Sequence, residues 1–215
     1  TFPDPLVSRE HRLEVAERLD RDGNVVTALD ADAVRKAARE LEAAGCEAIA
    51  VCFLNSYRNP AHEQEAGRIV RETCPELTVS LSSEVLPQIK EFERFSTACV
   101  NAYVGPIVSR YLARLRGRLA EAGYTGPVFV ILSHGGVAPV EEAARLAAGT
   151  ALSGPAGGVA AGVALAERGL GDDLITFDVG GTSTDIALVQ DGEAALGRGR
   201  TVAGERIALE SLDIV

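Results

Sequence analysis

The chain carries no methionine among its 215 residues, and only three histidines and four cysteines. Cys46, Cys52, Cys74 and Cys99 show no C-x-x-C spacing, which argues against a zinc ribbon or a sequence-local redox motif. Reduced thiols in a cytosolic protein are the simplest account, so a cytoplasmic location is expected. Cys46 and Cys52 border an apolar strand and read as small core residues. His11, His62 and His134 are scattered, with no two at metal-ligand spacing, so each is expected at the surface or in a hydrogen bond. No apolar run approaches the length of a membrane span. The opening residues Thr1 to Pro5 lack the basic start and apolar stretch of a signal peptide. With 31 acidic against 21 basic residues the net charge is -10, and no basic patch stands out. Neither nucleic acid nor a membrane is therefore an expected partner. Arg110, Arg114 and Arg118 recur on one helical face and read as a solvated face. Heptad repeats, low-complexity tracts and internal duplications are absent. Without a methionine even at position 1, the chain is expected to be an internal piece of a longer polypeptide, or a processed or trimmed one.

What is present is 47% hydrophobic residues, enough for a sizeable core in one large domain or two modest ones. Residues 11–28 alternate loosely, turn at Asp22-Gly23-Asn24 and resume at Val25-Val26, which predicts a two-stranded ribbon. Asp30 can cap a helix through Ala44, with Val34, Ala37, Ala38 and Leu41 on its apolar face and Gly45 as its stop. Ala48 to Leu54 reads as a buried parallel strand. Asn59-Pro60 reads as cap and first position of a helix to about Thr73, and Leu77 to Leu81 as the next strand. This alternation is an α/β layer. A charged stretch from Pro87 to Phe95 follows, and a domain boundary is expected near Val100. A helix is predicted from about Pro106 to Ala122, with Ile107, Tyr111, Leu112, Leu115 and Leu119 inward. Pro127 to Leu132 reads as a strand, Glu141 to Ala147 as a short helix, and about Ala156 to Arg168 as a longer one. One or two further strands are expected between Ala194 and Leu209.

The segment Phe177 to Val189 carries the most information. An apolar run ends in Asp178, Gly180-Gly181-Thr182-Ser183-Thr184 follow, and Asp185 opens a second apolar run. That pattern predicts two strands joined by a tight turn. Gly180 and Gly181 can take φ > 0 and bring backbone N–H groups close to a ligand. Successive N–H groups in such a turn make an anion site, and Thr182, Ser183 and Thr184 add hydroxyl donors. Asp178 and Asp185 share the sign of a phosphate, so they make sense with a hydrated Mg²⁺ between carboxylate and phosphate.

Other segments qualify as ligand-facing. Ser133-His134-Gly135-Gly136 ends a predicted strand, and reads equally as a ligand-facing turn or as a plain strand-to-helix turn. Ser153-Gly154-Pro155-Ala156-Gly157-Gly158 opens a helix whose N-terminal N–H groups could face an anion. Gly157 and Gly158 read better as permitting close packing on a sheet. No Gly-Lys-Ser/Thr follows, which rules out a Walker-type loop. Glu91 and Glu93, beside Arg94, could be a base and its partner, but read better as surface charges at a capped helix start.

Asp-x-Gly-Gly-Thr-x-x-x-Asp resembles the phosphate hairpin of the actin, sugar kinase and heat-shock chaperone superfamily. Leu81 to Pro87, Glu91 to Thr97, Asn101-Ala102-Tyr103 and Leu152 to Gly158 resemble, in this order, the hydantoinase A and 5-oxoprolinase family. The resemblance covers nearly the whole chain, most strongly from Ala48 to Val189. It implies an α/β fold of the actin-like (ribonuclease H-like) ATPase type, partial here, with an additional α/β layer on the N-terminal side. Residues 1–100 would belong to the family's N-terminal region, and residues 101–215 would start its actin-like domain. It implies ATP and Mg²⁺ as cofactors. Asp178 and Asp185 would be the catalytic and metal-orienting pair. Gly180, Gly181, Thr182, Ser183 and Thr184 would face phosphate, with Gly154, Gly135 and Gly136 as further cofactor contacts. The family commonly has asparagine where this chain has His134.

The activity so implied is the ATP-dependent opening of a cyclic amide such as hydantoin or 5-oxoproline, through phosphorylation of the amide oxygen. A hydantoinase B-type subunit or domain would complete it, in a homo- or hetero-oligomer. A second phosphate hairpin lies upstream in the family and a glycine-rich segment beyond, so these residues alone are expected to bind nucleotide weakly and turn over nothing. Two other activities fit the same scaffold: ketone carboxylation of the acetone carboxylase β-subunit type, and an ATPase that remodels a partner protein. A sugar kinase fits the Leu152 to Gly158 and Glu91 to Tyr103 blocks poorly.

Overall fold

Asp30 shows how local chemistry sets the first helix. Its side chain accepts from the backbone N–H groups of Asp32 and Ala33 at 3.1 and 3.0 Å. The helix ends at Gly45, where φ is +82°. There Cys46 N–H donates to Leu41 O and Gly45 N–H to Glu42 O, the paired bonds of a glycine-terminated helix.

The computed structural model describes residues 5–181 and 183–215. In chain order the elements are β1 (Arg18–Leu19), β2 (Val25–Thr27), α1 (Ala31–Ala43), β3 (Ala48–Val51), α2 (Ala61–Thr73), β4 (Thr78–Leu81) and α3 (Ser82–Val85). Then come α4 (Glu91–Glu121), β5 (Phe129–Ile131), β6 (Val137–Pro139), α5 (Val140–Arg145) and α6 (Ser153–Glu167). The last are β7 (Leu174–Val179), β8 (Thr184–Gln190), β9 (Glu193–Ala194), β10 (Leu196–Val202) and β11 (Glu205–Leu212). The fold class is mixed α/β. By internal contacts the chain divides into two units, Thr1–Arg110 with Thr201–Ala208, and Tyr111–Arg200 with Leu209–Val215. Among the described residues, no helix is long and apolar enough to cross a membrane.

In the first unit β1 and β2 form the expected antiparallel ribbon. β3 and β4 pair in parallel, with α2 as the crossover. Val34 and Ala38 of α1 and Ile69 and Val70 of α2 pack with Ile49, Val51 and Leu81 into one buried cluster. Asn59 Oδ1 accepts from Ala61 N–H at 3.1 Å, but α2 starts one residue later than expected, with Pro60 at its N-cap position and no side-chain cap. β3 is shorter than expected, because the chain turns at Asn55, whose φ is +60°. His62 Nδ1 lies 2.8 Å from Glu17 Oε2, a hydrogen-bonded role. Cys74 is the buried cysteine, whereas Cys46 and Cys52 are only half-buried.

The largest departure from expectation is α4. It runs unbroken from Glu91, with Pro106 inside it rather than at its first turn. A helical proline removes one hydrogen bond and strains the turn before it. Long-range contacts hold the stretch of α4 ahead of that turn in place. Ser96 Oγ donates to Arg206 O at 2.7 Å, Thr97 Oγ1 accepts from Ala208 N–H at 2.9 Å, and Asn101 Nδ2 donates to Ser80 Oγ at 2.9 Å. The boundary expected near Val100 falls inside α4. Ile107 and Tyr111 face outward, with more than half their surface exposed, while Leu112 is buried.

In the second unit β7, β8 and β9 form an antiparallel sheet, with α6 packed on one face. Ala156, Val159 and Ala166 of α6 meet Ala187, Val189 and Leu212. Gly162 permits the approach: a Cβ there would lie 2.7 Å from Thr176 Cγ2. Gly157 meets Ile131 Cδ1, where a Cβ would lie at 3.1 Å, so its packing role holds. Gly158 does not share that role, since a Cβ there meets nothing within 4 Å.

Candidate functional site

The β7–β8 hairpin pairs in one uninterrupted register from Leu174↔Val189 to Val179↔Thr184. In that register Asp178 is the direct partner of Asp185. Cross-strand partners share a face, so both carboxylates stand on the side that carries Thr176 and Ala187. Gly180 N–H donates to Ser183 O at 3.0 Å and closes the turn. Ser183 Oγ donates to Asp185 Oδ2 at 3.2 Å. Thr182 lies outside the described residues.

The glycines of this turn have a different reason than expected. Neither Gly180 nor Gly181 adopts a left-handed φ. A Cβ at Gly181 would meet nothing within 4 Å, and one at Gly180 only Ser183 O at an ordinary 3.6 Å. Neither backbone conformation nor packing within the chain therefore demands glycine here. What the two glycines provide is bare backbone, which at Gly181 faces open space.

Asp178 and Asp185 line a cleft of about 230 Å³ with Thr176, Phe177 and Ile214, and with Pro155, Gly158 and Val159 from the first turns of α6. That end of α6 has no side-chain cap and no acidic residue in its first turn, and its N-cap, Leu152, takes φ +60°. Its first N–H groups are thus without an acidic or capping partner, at the positive end of a 15-residue helix. Gly154 sits in this turn with open space where a Cβ would be. The cleft thus lies beside the start of α6, though Gly154 is not among its lining residues and Pro155, which is, has no N–H to offer.

Such a pair suits one kind of cation. Among the described residues, no group of three or more His, Cys, Asp or Glu could hold a metal ion. Zinc needs three or four protein ligands, whereas Mg²⁺ keeps several waters and takes one or two carboxylates plus substrate phosphates. The two carboxylates present fit the second pattern.

Gly135 and Gly136 are placed elsewhere. Their turn joins β5 to β6, an antiparallel pair, rather than leading from a parallel strand to a helix. Gly135 takes φ +86°, and Gly136 N–H donates to His134 Nδ1 at 3.1 Å. Neither glycine is among the residues lining the cleft. Sequence reasoning missed Thr176, Gly158 and Ile214 in the cleft. The period of two along β7 was a signal for Thr176, which sits two residues before Asp178.

In the first unit Arg94 is fully buried, not a surface charge. Its guanidinium lies between the rings of Tyr57 and Phe95, at 5.5 and 5.1 Å from their centroids. It donates to Phe53 O at 2.8 Å. Glu63, also fully buried, accepts from Phe53 N–H at 2.8 Å, Ser82 Oγ at 2.6 Å and Ser83 N–H at 2.8 Å.

The hydantoinase/oxoprolinase family model matches residues 94–215, and the model of the hydantoinase/oxoprolinase N-terminal region matches residues 1–74. The chain belongs to the hydantoinase/oxoprolinase family. Caprolactamase subunit alpha of Pseudomonas jessenii is 35% identical over 209 residues, covering 97% of this chain and 30% of that one. The crystal structure of the ATP-dependent caprolactamase from the same organism matches with a TM-score of 0.84 and 33% identity, over 99% of this chain and 31% of that one. The 5-oxoprolinase of Saccharomyces cerevisiae is 37% identical over 191 residues, 88% of this chain and 14% of that one. A nucleotide-free acetone carboxylase structure, from a study of ATP-dependent acetone carboxylation, matches with a TM-score of 0.86 and 31% identity, over 100% of this chain and 31% of that one. The chain spans less than a third of the length of these relatives.

Proposed function

We propose that the polypeptide containing this chain is an ATP-dependent cyclic amidohydrolase, and that the β7–β8 hairpin is one of its phosphate-binding hairpins. The observation that carries the reading is the Asp178–Asp185 ladder pair lining a cleft beside the start of α6. Like charges directly opposite in a ladder are unfavourable, so a cation between them and an anionic ligand resolves both features. On this reading Asp178 and Asp185 orient hydrated Mg²⁺, or the water that bears on the terminal phosphate. Mg²⁺ bound there supplies charge neutralisation of the phosphoryl group. The N–H groups of Gly180 and Gly181 and the hydroxyls of Ser183 and Thr184 face phosphate oxygens. Thr182 belongs to the same set by sequence. Gly154 offers the backbone of the α6 start to the same ligand. Gly135 and Gly136 would contact nucleotide only from outside the cleft.

The scaffold we infer is actin-like, with residues 1–100 in the family's N-terminal region and residues 101–215 opening the actin-like domain. The similarity to caprolactamase and 5-oxoprolinase supports a lactam or related cyclic amide as substrate. The caprolactamase relative is a subunit, which supports a partner of the hydantoinase B type in a cytoplasmic assembly. The comparable similarity to acetone carboxylase supports a second reading, in which ATP activates a ketone for carboxylation.

The test uses the full-length polypeptide with its partner. ADP release is measured with 5-oxoproline, hydantoin, caprolactam and acetone, for wild type and Asp178→Asn. Release that depends on one cyclic amide and collapses in the variant is expected. Dependence on acetone selects the carboxylase reading. Release indifferent to every small molecule overturns both, and leaves an ATPase acting on a partner protein.

A further inference from the structure

The β7–β8 hairpin has two faces, and α6 covers one of them. On that side Ala187 and Val189 are buried, and Leu174 packs against the same cluster. Alternation along the strand puts Ile175, Phe177 and Val179 of β7 on the other side. The ladder sets Leu188 opposite Ile175 and Ile186 opposite Phe177, so these five side chains make one contiguous patch. Ile186 is half-buried, but Ile175, Phe177, Val179 and Leu188 are 68, 64, 65 and 54% exposed. Thr184 and Gln190, the polar residues of β8 on this face, lie at its two ends.

An antiparallel sheet with one face in water carries polar residues on that face. β7 and β8 are instead apolar on both faces, the pattern of a sheet enclosed between two layers. A contiguous apolar patch left in the open marks an interaction surface. Interfaces between separately folded proteins are about as polar as the rest of the surface. This face carries no charged residue within β7 or β8, and so has the composition of a domain core. Its two rows of side chains stand about 5 Å apart, and one helix, about 10 Å across, spans both. α6 spans the opposite face in the same way.

The chain covers 30% of caprolactamase subunit alpha and 31% of the matched acetone carboxylase chain. In those relatives more than two thirds of the polypeptide lies outside the matched region. We propose that the Ile175–Phe177–Val179 face seats an amphipathic helix from another part of the same, longer polypeptide, which encloses the β7–β8 sheet between itself and α6. This packing is independent of what the opposite face binds. It makes the hairpin the middle layer of three, with Asp178 and Asp185 carried on a strand pair fixed from behind.

The experiment uses the full-length polypeptide. Ile175→Cys and Val179→Cys are each treated with a maleimide in buffer and in urea, and labelling at the new cysteine is followed by peptide mass spectrometry. Labelling in buffer should be slower than in urea on the order of tenfold or more, as for a side chain reached only through local opening. p-Benzoylphenylalanine is then placed at position 177 and photolysed. An intramolecular cross-link is expected, to a segment outside these 215 residues with apolar positions at three- and four-residue spacing. Labelling as fast in buffer as in urea overturns the proposal. So does a cross-link to a second copy, to a partner subunit or to a segment with the alternating pattern of a strand, and so does the absence of any cross-link.

Discussion

Asp178 stands directly opposite Asp185 in the β7–β8 ladder, and both line the cleft beside the start of α6. This arrangement costs stability unless a cation sits between the two. Asp178→Asn should therefore move stability and activity in opposite directions. Without nucleotide and in EDTA, the variant should gain a few tenths of a kcal/mol by removing like-charge repulsion. ADP release by the full-length enzyme should fall on the order of 100-fold or more, the scale of a lost electrostatic contact in phosphoryl chemistry. Thermal melts and ADP release on the same preparation check both. A variant that loses stability and activity together would make Asp178 a structural residue.

The glycines of α6 separate packing from ligand approach. Gly162→Ala places a Cβ 2.7 Å from Thr176 Cγ2, with the hairpin fixed behind it. Overpacking of this kind costs about 1–3 kcal/mol, read as a lower urea midpoint. At Gly154 and Gly158 a Cβ meets nothing within 4 Å. Alanine there should be neutral or stabilising by up to about 1 kcal/mol through helix propensity. If nucleotide approaches this backbone, Gly154→Ala should nonetheless raise the KM for ATP. An unchanged KM would remove Gly154 from the site.

The parts of the fold that were legible are those whose cause is local. Asp30 and Gly45 bound α1 because a cap and a left-handed residue act within a few positions. The hairpin was legible because Asp178 and Asp185 flank its turn, so the ladder could pair them. What was not legible depends on residues distant in sequence. Pro106 looked like a helix start because the contacts that extend α4 backwards come from Ser80, Arg206 and Ala208. Ile107 and Tyr111 fit the apolar period, but periodicity does not say which side of the stripe finds a partner. Gly158 was read as a packing residue, since no sequence pattern distinguishes it from Gly157 beside it. Glu63 drew no reading from the sequence, since its donors Ser82 and Ser83 lie about twenty positions on.

Asp20 offers a pH-dependent test of the β1–β2 turn. Hydrogen bonds from the side chain and backbone of Asn24 hold its carboxyl below the usual range. A depressed folded value means that its contribution is complete above the unfolded value, about 3.9. It is then lost as pH falls through the lower, folded value. Amide exchange at Asp22, Gly23 and Asn24 should accelerate over that acidic window in wild type. In Asp20→Asn the acceleration should be absent. An identical acid profile in the two proteins would assign the effect to another group.

The backbone of Phe53 touches both Glu63 and Arg94, giving its N–H to Glu63 and accepting at its carbonyl from Arg94. Removing either group leaves a polar group of the Phe53 backbone without its buried partner, a loss of about 1–3 kcal/mol. Glu63→Gln has the further defect that an amide N–H₂ must face Phe53 N–H, Ser82 Oγ or Ser83 N–H, where two backbone donors already compete. Arg94→Met removes the charge but keeps much of the chain between Tyr57 and Phe95. The double variant removes both charges and should cost less than the sum of the single changes. A coupling of about 0.5–3 kcal/mol is the range for groups in one network. A urea-unfolding cycle over wild type, Glu63→Gln, Arg94→Met and the double variant measures it. Strict additivity would mean that the two charges are stabilised separately, each by its own hydrogen bonds. The Phe53 backbone would then be a shared neighbour rather than a bridge.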